Sequence, residues 1–188
     1  MTEPKLDVAR SALLVMDFQT SIVERFPAGQ DELLAATAET IAAARRSKMR
    51  VMYVVVGFRP GSPEISARNK NFSAIKKSGG LSTDIHPRVA PAADDVIITK
   101  HRVGAFLGTD LDMILRANDI ETLVLCGIST SGVVLSTLRY AADADYRIVV
   151  LRDCCSDSDI EMHTCLLEKV FPRQAAVVNS TEFIQGLA

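Results

Sequence analysis

The segment ETLVLCGISTSGVVLSTLRYAADADYRIVVL, residues 121–151, contains one complete strand–helix–strand unit. Its first part, Glu121 to Gly127, is a short apolar run of the kind that forms a strand buried on both faces. Ser131 to Ala144 follows with apolar residues at helical spacing, and Tyr146 to Leu151 is a second apolar run. Two buried strands joined by a helix predict a parallel pair within a sheet that helices cover.

The same alternation extends over the rest of the chain. Capping pairs predict where two of the helices start, since Thr109 is followed by Asp112 and Ser158 by Glu161. We therefore predict one α/β domain, residues 1–188, in which a doubly wound sheet of about six parallel strands forms a three-layer structure with helices on both faces. Further strands are predicted at residues 12–18, 51–57, 96–99 and 175–178, and further helices at 31–48, 109–117, 158–170 and 181–187.

Residues 58–95 interrupt this alternation with little periodicity. A loop this long inside a compact domain typically covers a site or contacts a partner, and a mobile surface loop is the alternative. The interruption is marked by Pro60, Gly61, Pro63, Gly79, Gly80, Pro87 and Pro91.

Composition excludes several classes of function. With 48% apolar residues, 23% charged residues and a net charge of −2, the 188-residue chain can bury a core and has no basic cluster for nucleic acid. Its apolar runs are far shorter than the roughly 18 residues of a membrane span. Met1 to Arg10 contains no signal-peptide core, so we expect a cytoplasmic protein. No cofactor or metal site is expected, because His86, His101 and His163 are scattered rather than at ligand spacing.

Polar side chains follow three of the predicted strands, at the edge where open parallel sheets bind ligands. Asp17 and Gln19 come at or after the first strand, and Lys100 and Arg102 at or after the third. The turn after the strand that ends at Gly127 offers backbone N–H groups at a helix start, which suit an anion or a developing oxyanion. That turn consists of Ile128, Ser129, Thr130, Ser131 and Gly132. A lone aspartate at a strand end is as often a helix cap, and Arg102 is as easily a solvated loop residue as a contact for an anionic substrate.

Three motifs give the chain a resemblance to a known family. LLVMDFQ, TKHRVGAFLGTDLDMILR and LVLCGISTSGVVLSTLRYAADADY resemble the isochorismatase-like family of cysteine hydrolases, and VGFRPGSPE also looks like members of it. The resemblance extends over residues 12–183. It implies a parallel α/β sheet, a small-molecule substrate and a homo-oligomer, either a dimer or a tetramer.

The resemblance also implies roles for individual residues. Amidase members use an Asp, a Lys and a Cys nucleophile, which correspond here to Asp17, Lys100 and Val133. Family members carry a non-proline cis peptide that would fall at Ile128–Ser129, with the amides of Ser129 and Val133 forming an oxyanion hole. The Asp and two His ligands that nicotinamidase-type members carry after strand two are absent from the corresponding stretch, Phe58 to Pro60.

A valine cannot attack a carbonyl, so the position at 133 raises the question of another thiol. Cys126 is interpreted as an apolar filler of a buried strand, and Cys165 as helix packing. Cys154 and Cys155 are expected to follow strand five with side chains on opposite sides, so that only one could face the site.

Three functions remain open from these residues. The chain is a hydrolase that works without a cysteine, a catalytically silent small-molecule-binding protein, or a cysteine amidase whose nucleophile has moved. In the first, Asp17 donates a proton, for example to an enol ether, or activates water, and Lys100 holds charge. Two effects oppose each other there, because the ammonium lowers the pKa of the carboxyl whereas burial raises it.

Overall fold

The computed structural model describes residues 6–26, 29–77 and 81–187 and contains one sheet of six parallel strands. The strand order is β3-β2-β1-β4-β5-β6, so the sheet reverses its direction of growth between β1 and β4. The prediction of a doubly wound parallel sheet is confirmed. The strands are β1 (Ser11–Met16), β2 (Arg50–Val56), β3 (Val96–Lys100), β4 (Thr122–Ile128), β5 (Arg147–Ser156) and β6 (Ala176–Val178).

Seven α-helices are found in the described residues. The longest, α2, packs on β5 and on α7, while α5 packs on β5 from the other side. Short 3-10 turns at Val8–Arg10, Pro87–Val89 and Phe171–Arg173 and wider π turns at Thr130–Val134 and Leu166–Val170 complete the elements. The helices are α1 (Thr20–Val23), α2 (Gln30–Arg46), α3 (Lys70–Lys77), α4 (Leu111–Ala117), α5 (Leu135–Asp143), α6 (Ile160–Cys165) and α7 (Ser180–Gly186).

Successive residues of the central strands point into two separate cores. Leu14 of β1 and Leu125 of β4 lie in the core under α4 and α5, whereas Leu13 and Val124 lie in the core under α2. Because both faces are covered, β1 and β4 are apolar at every position, as strands buried on both faces require. Because helices cover a core on each face of the sheet, the protein has three layers.

The structure corrects several predicted elements. Cys154 and Cys155 lie within β5 rather than after it, because the pairing with β4 shifts register between Leu125 and Gly127 and then continues to Ser156. Residues 58–95 contain the helix α3, which the absence of periodicity did not predict. Gly79 and Gly80, part of the loop signal, lie outside the described residues.

The two predicted capping pairs differ from the structure in detail. The N-cap of α4 is Asp110 rather than Thr109, but the Thr109 hydroxyl accepts from the amide of Leu111, the first helical residue, at 3.3 Å. The same hydroxyl donates to the carbonyls of Ala105 and Phe106. Helix α6 is capped by the Asp159 carboxylate, which accepts from the amide of Met162 at 2.9 Å, instead of by Ser158. No helix among residues 6–26, 29–77 and 81–187 has both the length and the apolarity needed to cross a bilayer.

Candidate active site

Asp17 is the first residue after β1, at the carboxyl edge of the sheet. Its backbone N–H donates to the carbonyl of Val54 at 2.8 Å, so the pairing with β2 extends to this residue. Its φ of 60° lies in the left-handed region, which aspartate tolerates better than most residues. The buried side chain thus turns away from the strand path.

Lys100, the last residue of β3, reaches across the intervening β2 to Asp17. The Nζ of Lys100 lies 3.0 Å from Oδ2 of Asp17, and it donates to the carbonyls of Arg102 at 3.0 Å and Val103 at 3.1 Å. An ammonium has three N–H donors, so these three contacts use all of them. The ion pair is therefore held in one geometry.

The protonation of Asp17 is decided by burial. Loss of hydration raises the pKa of this carboxyl from 3.8 to about 6, although the charge of Lys100 and its hydrogen bond lower it. The Oδ1 atom is buried and has no hydrogen-bond partner among the residues that the structure describes. Of the two opposing effects that the sequence left open, burial is the larger.

The turn after β4 completes the edge. The peptide bond between Ile128 and Ser129 is cis, which confirms that prediction. The carbonyl of Ser129 accepts from the amides of Gly132 and Val134, both at 3.2 Å. A Cβ at Gly132 would lie 2.6 Å from Oγ of Ser129, so only glycine leaves room for that hydroxyl.

One cavity of about 420 Å³ joins these parts. Asp17, Lys100, Ser129, Gly132 and Val133 all line it, so the structure brings five of the predicted site residues together. Another cavity, about 630 Å³, lies at the amino ends of β2 and β3 and contains none of the predicted site residues. The remaining lining residues of the first cavity are Ile22, Arg25, Phe26, Val56, Asn71, Phe72, Ile75, Leu81, Val103, Ile128 and Ser158.

Comparison with known proteins shows which family has this fold and sequence. The isochorismatase domain family matches residues 11–182. The chain belongs to the isochorismatase family. An uncharacterized isochorismatase family protein, YecD from Escherichia coli O157:H7, is 33% identical over 97% of this chain and 99% of its own length. The ureidoacrylate amidohydrolase RutB of Azorhizobium caulinodans is 28% identical over 94% of this chain and 85% of its own. The structure of an isochorismatase family protein from Burkholderia thailandensis superposes with a TM-score of 0.85 at 30% identity, covering 98% of both chains.

Two of the predicted contact residues of this isochorismatase-family chain serve as structural anchors. The Gln19 side chain accepts from the amide of Val56 at 2.7 Å and donates to the carbonyls of Val56 and Ser82. The Thr130 hydroxyl donates to the Ser156 carbonyl at 3.2 Å and lies 2.8 Å from Nδ1 of His163. Neither lines the cavity, and both fix the segments that do.

Ser131 and Arg102 also lie outside the cavity lining. The amide of Ser131 donates to the Asp157 carboxylate at 2.7 Å, and the Arg102 guanidinium donates to the carbonyl of His101 at 2.5 Å. Phe106 is likewise absent from the lining, because it is buried in the core and stacked on Tyr140 with ring centroids 4.4 Å apart.

None of the four cysteines, all of which lie in the described residues, lines this cavity. Cys126 is fully buried and its thiol lies 3.4 Å from the Leu14 carbonyl, so burial raises its pKa. Burial also raises the pKa of Cys154, to about 12, and that of Cys155, and their side chains occupy opposite cores. Cys165 is exposed at the end of α6, so its interpretation as packing was wrong.

Sequence reasoning missed the residues that wall the cavity opposite the sheet. Arg25 follows α1, a helix of only four residues that has no sequence signal. Asn71, Phe72 and Ile75 belong to α3, where the spacing of Phe72 and Ile75 was the available signal. Among the described residues, no group of three or more His, Cys, Asp or Glu side chains could hold a metal ion.

Proposed function

We propose that this chain is a hydrolase of the isochorismatase family that acts on a small molecule without a cysteine nucleophile, with Asp17 as the proton donor. One observation carries the proposal. Asp17, whose buried Oδ1 has no hydrogen-bond partner among the described residues, lines the same cavity as Val133, the residue that the family resemblance aligns with the cysteine. A pKa of about 6 lets this carboxyl both hold a proton and release it near neutral pH.

Enol-ether hydrolysis needs only these groups. Asp17 transfers its proton to the terminal carbon of the enol ether, which leaves a positive charge shared between the adjacent carbon and the ether oxygen. A water molecule adds to that carbon and gives up a proton to the Asp17 carboxylate. The resulting hemiketal separates into an alcohol and a ketone, and Asp17 is protonated again.

Lys100 stabilises the carboxylate after the proton has left. Its 3.0 Å contact with Oδ2 places the ammonium where the negative charge develops. Because its other two donors are held by backbone carbonyls, Lys100 keeps this place whether or not a substrate is bound. The amides of Ser129 and Val133, at the start of the helical segment that leads into α5, are proposed to bind an oxygen of the substrate.

Relatives support hydrolysis more broadly than this one reaction. RutB is a ureidoacrylate amidohydrolase, so amides belong in any substrate panel for this chain. A moved thiol nucleophile is not favoured, since Cys126, Cys154 and Cys155 are buried with raised pKa values.

A panel of small enol ethers, amides and esters, with products followed by NMR, tests the proposal. We expect turnover of an enol ether that falls at least about 100-fold in Asp17→Asn, since a general acid contributes that much or more. The value of kcat/KM should decline as the pH rises past about 6, where Asp17 of the free protein loses its proton. Asp143→Asn, on the exposed end of α5, is the matched control and should leave the rate unchanged.

Two results would contradict the proposal. Binding of panel compounds without any turnover would identify a binding protein instead. A rate that instead rises with pH through about 6 would make Asp17 a base that activates water, as amide or ester hydrolysis requires.

A further inference from the structure

Arg25 is the charged group of the cavity that no other residue neutralises. The charged side chains that line the cavity in the described structure are Asp17, Arg25 and Lys100. Asp17 and Lys100 pair with each other. The guanidinium of Arg25 makes no hydrogen bond or ion pair within the described chain, and its side chain is exposed, which places it at the opening of the cavity.

The two cations of the cavity therefore have different capacities. Lys100 has its three donors occupied by Asp17 and two backbone carbonyls, so it has none left for a ligand. Arg25 offers a planar fork of N–H donors whose geometry matches a carboxylate. An anion that enters this cavity is thus bound by Arg25 rather than by Lys100.

The walls indicate the rest of the ligand. Phe26 and Phe72 lie on the side of α1 and α3, and Val133 and Val103 lie on the side of the sheet. The cavity of about 420 Å³ also has Asn71, Ser129 and Ser158 in its lining, so it is a mainly apolar space with a few neutral polar groups and one free cation. Such a cavity fits a small molecule with an apolar body and one negative charge.

We propose that the cavity binds a small monocarboxylate through Arg25, and that this ligand enters together with a proton that Asp17 takes up from solvent. The proposal deepens the proposed function by naming the substrate class, although binding and proton uptake do not themselves require turnover. The geometric basis is that Arg25 and Asp17 line the same cavity, Arg25 at its opening and Asp17 in its buried part.

Proton uptake follows from charge. The Lys100 ammonium on β3 is the one charged side chain that contacts Asp17 within the described residues, and β1, β4 and α3 add no further charge to the cavity lining. A ligand carboxylate in the same space disfavours a second negative charge, so it raises the pKa of Asp17 beyond about 6. Binding of the substrate thus increases the fraction of Asp17 that holds a proton from solvent at neutral pH.

Benzoate and benzamide are matched probes, because they differ in charge and share an apolar ring. Calorimetric titration at pH 7 measures their affinities, and a pH-stat titration in unbuffered solution measures the protons taken up. We expect the wild-type protein to take up about 0.4 of a proton or more per benzoate bound, given a pKa increase of about one unit or more from about 6, and none with benzamide. Arg25→Gln should weaken benzoate at least about tenfold and leave benzamide unchanged.

Three further variants separate the parts of the proposal. Asp17→Asn should bind benzoate without proton uptake, Arg25→Lys should restore much of the benzoate affinity, and Arg46→Gln, exposed on α2 away from the cavity, should change nothing. The proposal is overturned if the wild-type protein does not bind benzoate, if Arg25→Gln weakens both probes equally, or if benzoate binds without proton uptake. Benzoate binding with proton uptake but no turnover of any panel compound would refute only the proposed hydrolysis.

Discussion

Two carboxylates of the described chain, Asp17 and Glu64, have the same kind of contacts and opposite protonation behaviour. Each has one oxygen paired with a cation, Lys100 for Asp17 and Arg59 for Glu64. Each also has one buried oxygen without a hydrogen-bond partner. Yet the pKa of Asp17 is raised to about 6, whereas the pKa of Glu64 is lowered from 4.5.

The surroundings of the two pairs explain the difference. Desolvation raises the pKa of Glu64, but hydrogen bonds from its own amide and from Arg59 together lower it by more. Asp17 has Lys100 alone to oppose a more complete burial. Lys100 is 2% exposed and Arg59 is 68% exposed, so only the first pair lies wholly within the protein. The Glu64 pair therefore keeps its carboxyl charged over a wider pH range, whereas the Asp17 pair can exchange a proton near pH 6.

Removing the cation from each pair should give the largest difference between them. Lys100→Met leaves Asp17 buried without a counter-charge and removes donors from two backbone carbonyls. We expect the free energy of unfolding at pH 7 to fall by about 3–5 kcal/mol, as for other broken buried pairs. Chemical denaturation measures this, and the loss should be smaller at pH 5, where the carboxyl of the variant is protonated.

Arg59→Met is the matched control. Because Arg59 is largely exposed, its loss should cost less than about 1 kcal/mol. Equal losses in Lys100→Met and Arg59→Met would show that burial does not distinguish the two pairs.

The pH dependence of stability should have opposite signs at the two carboxyls. The pKa of Asp17 is higher in the folded protein than its ordinary value of 3.8, so its contribution is fully present below about pH 4 and is lost as the pH rises through about 6. Two pKa units correspond to about 3 kcal/mol. The free energy of unfolding of the wild type minus that of Asp17→Asn should therefore fall by about this amount between pH 4 and pH 7.

Glu64→Gln provides the opposite case. A lowered pKa contributes stability above about pH 4.5 that is lost as the pH falls through the folded value. The corresponding difference between the wild type and Glu64→Gln should fall toward acid instead of toward base. The same direction of change at both positions would refute the assignment of Asp17 as a carboxyl that holds a proton.

The strands and two of the site residues could be predicted from the sequence, because they depend on periodicity and on one rule of sheet topology. Continuous apolar runs predicted all six strands, and the rule that ligands bind at carboxyl ends of parallel strands selected Asp17 and Lys100 before any contact was known. The cis bond at Ile128–Ser129 came from the family resemblance. These features depend on local pattern or on motif, which the sequence contains directly.

The remaining features depend on tertiary packing. Helix α3 has eight residues, of which Phe72 alone is fully buried, and so short a helix is stable only when it packs on the rest of the protein. Arg25 belongs to the cavity lining because the chain that follows α1 lies next to the cavity. The balance between burial and Lys100 at Asp17 requires the completed fold, since desolvation cannot be counted along a chain.

A change at the site itself should affect stability much less than Lys100→Met. Val133→Cys exchanges one small buried side chain for another in the cavity lining, so we expect the free energy of unfolding to fall by only about 1 kcal/mol. The new thiol should react with p-nitrophenyl acetate and release about one nitrophenolate per protein in a burst, because the amides that bind the developing oxyanion remain in place. Cys165→Ser is the background for this measurement, since Cys165 is the exposed thiol of the described chain. A folded Val133→Cys protein without a burst would show that position 133 does not face the reacting groups. A burst from the Cys165→Ser protein that still has Val133 would show that one of the buried native thiols reaches the cavity.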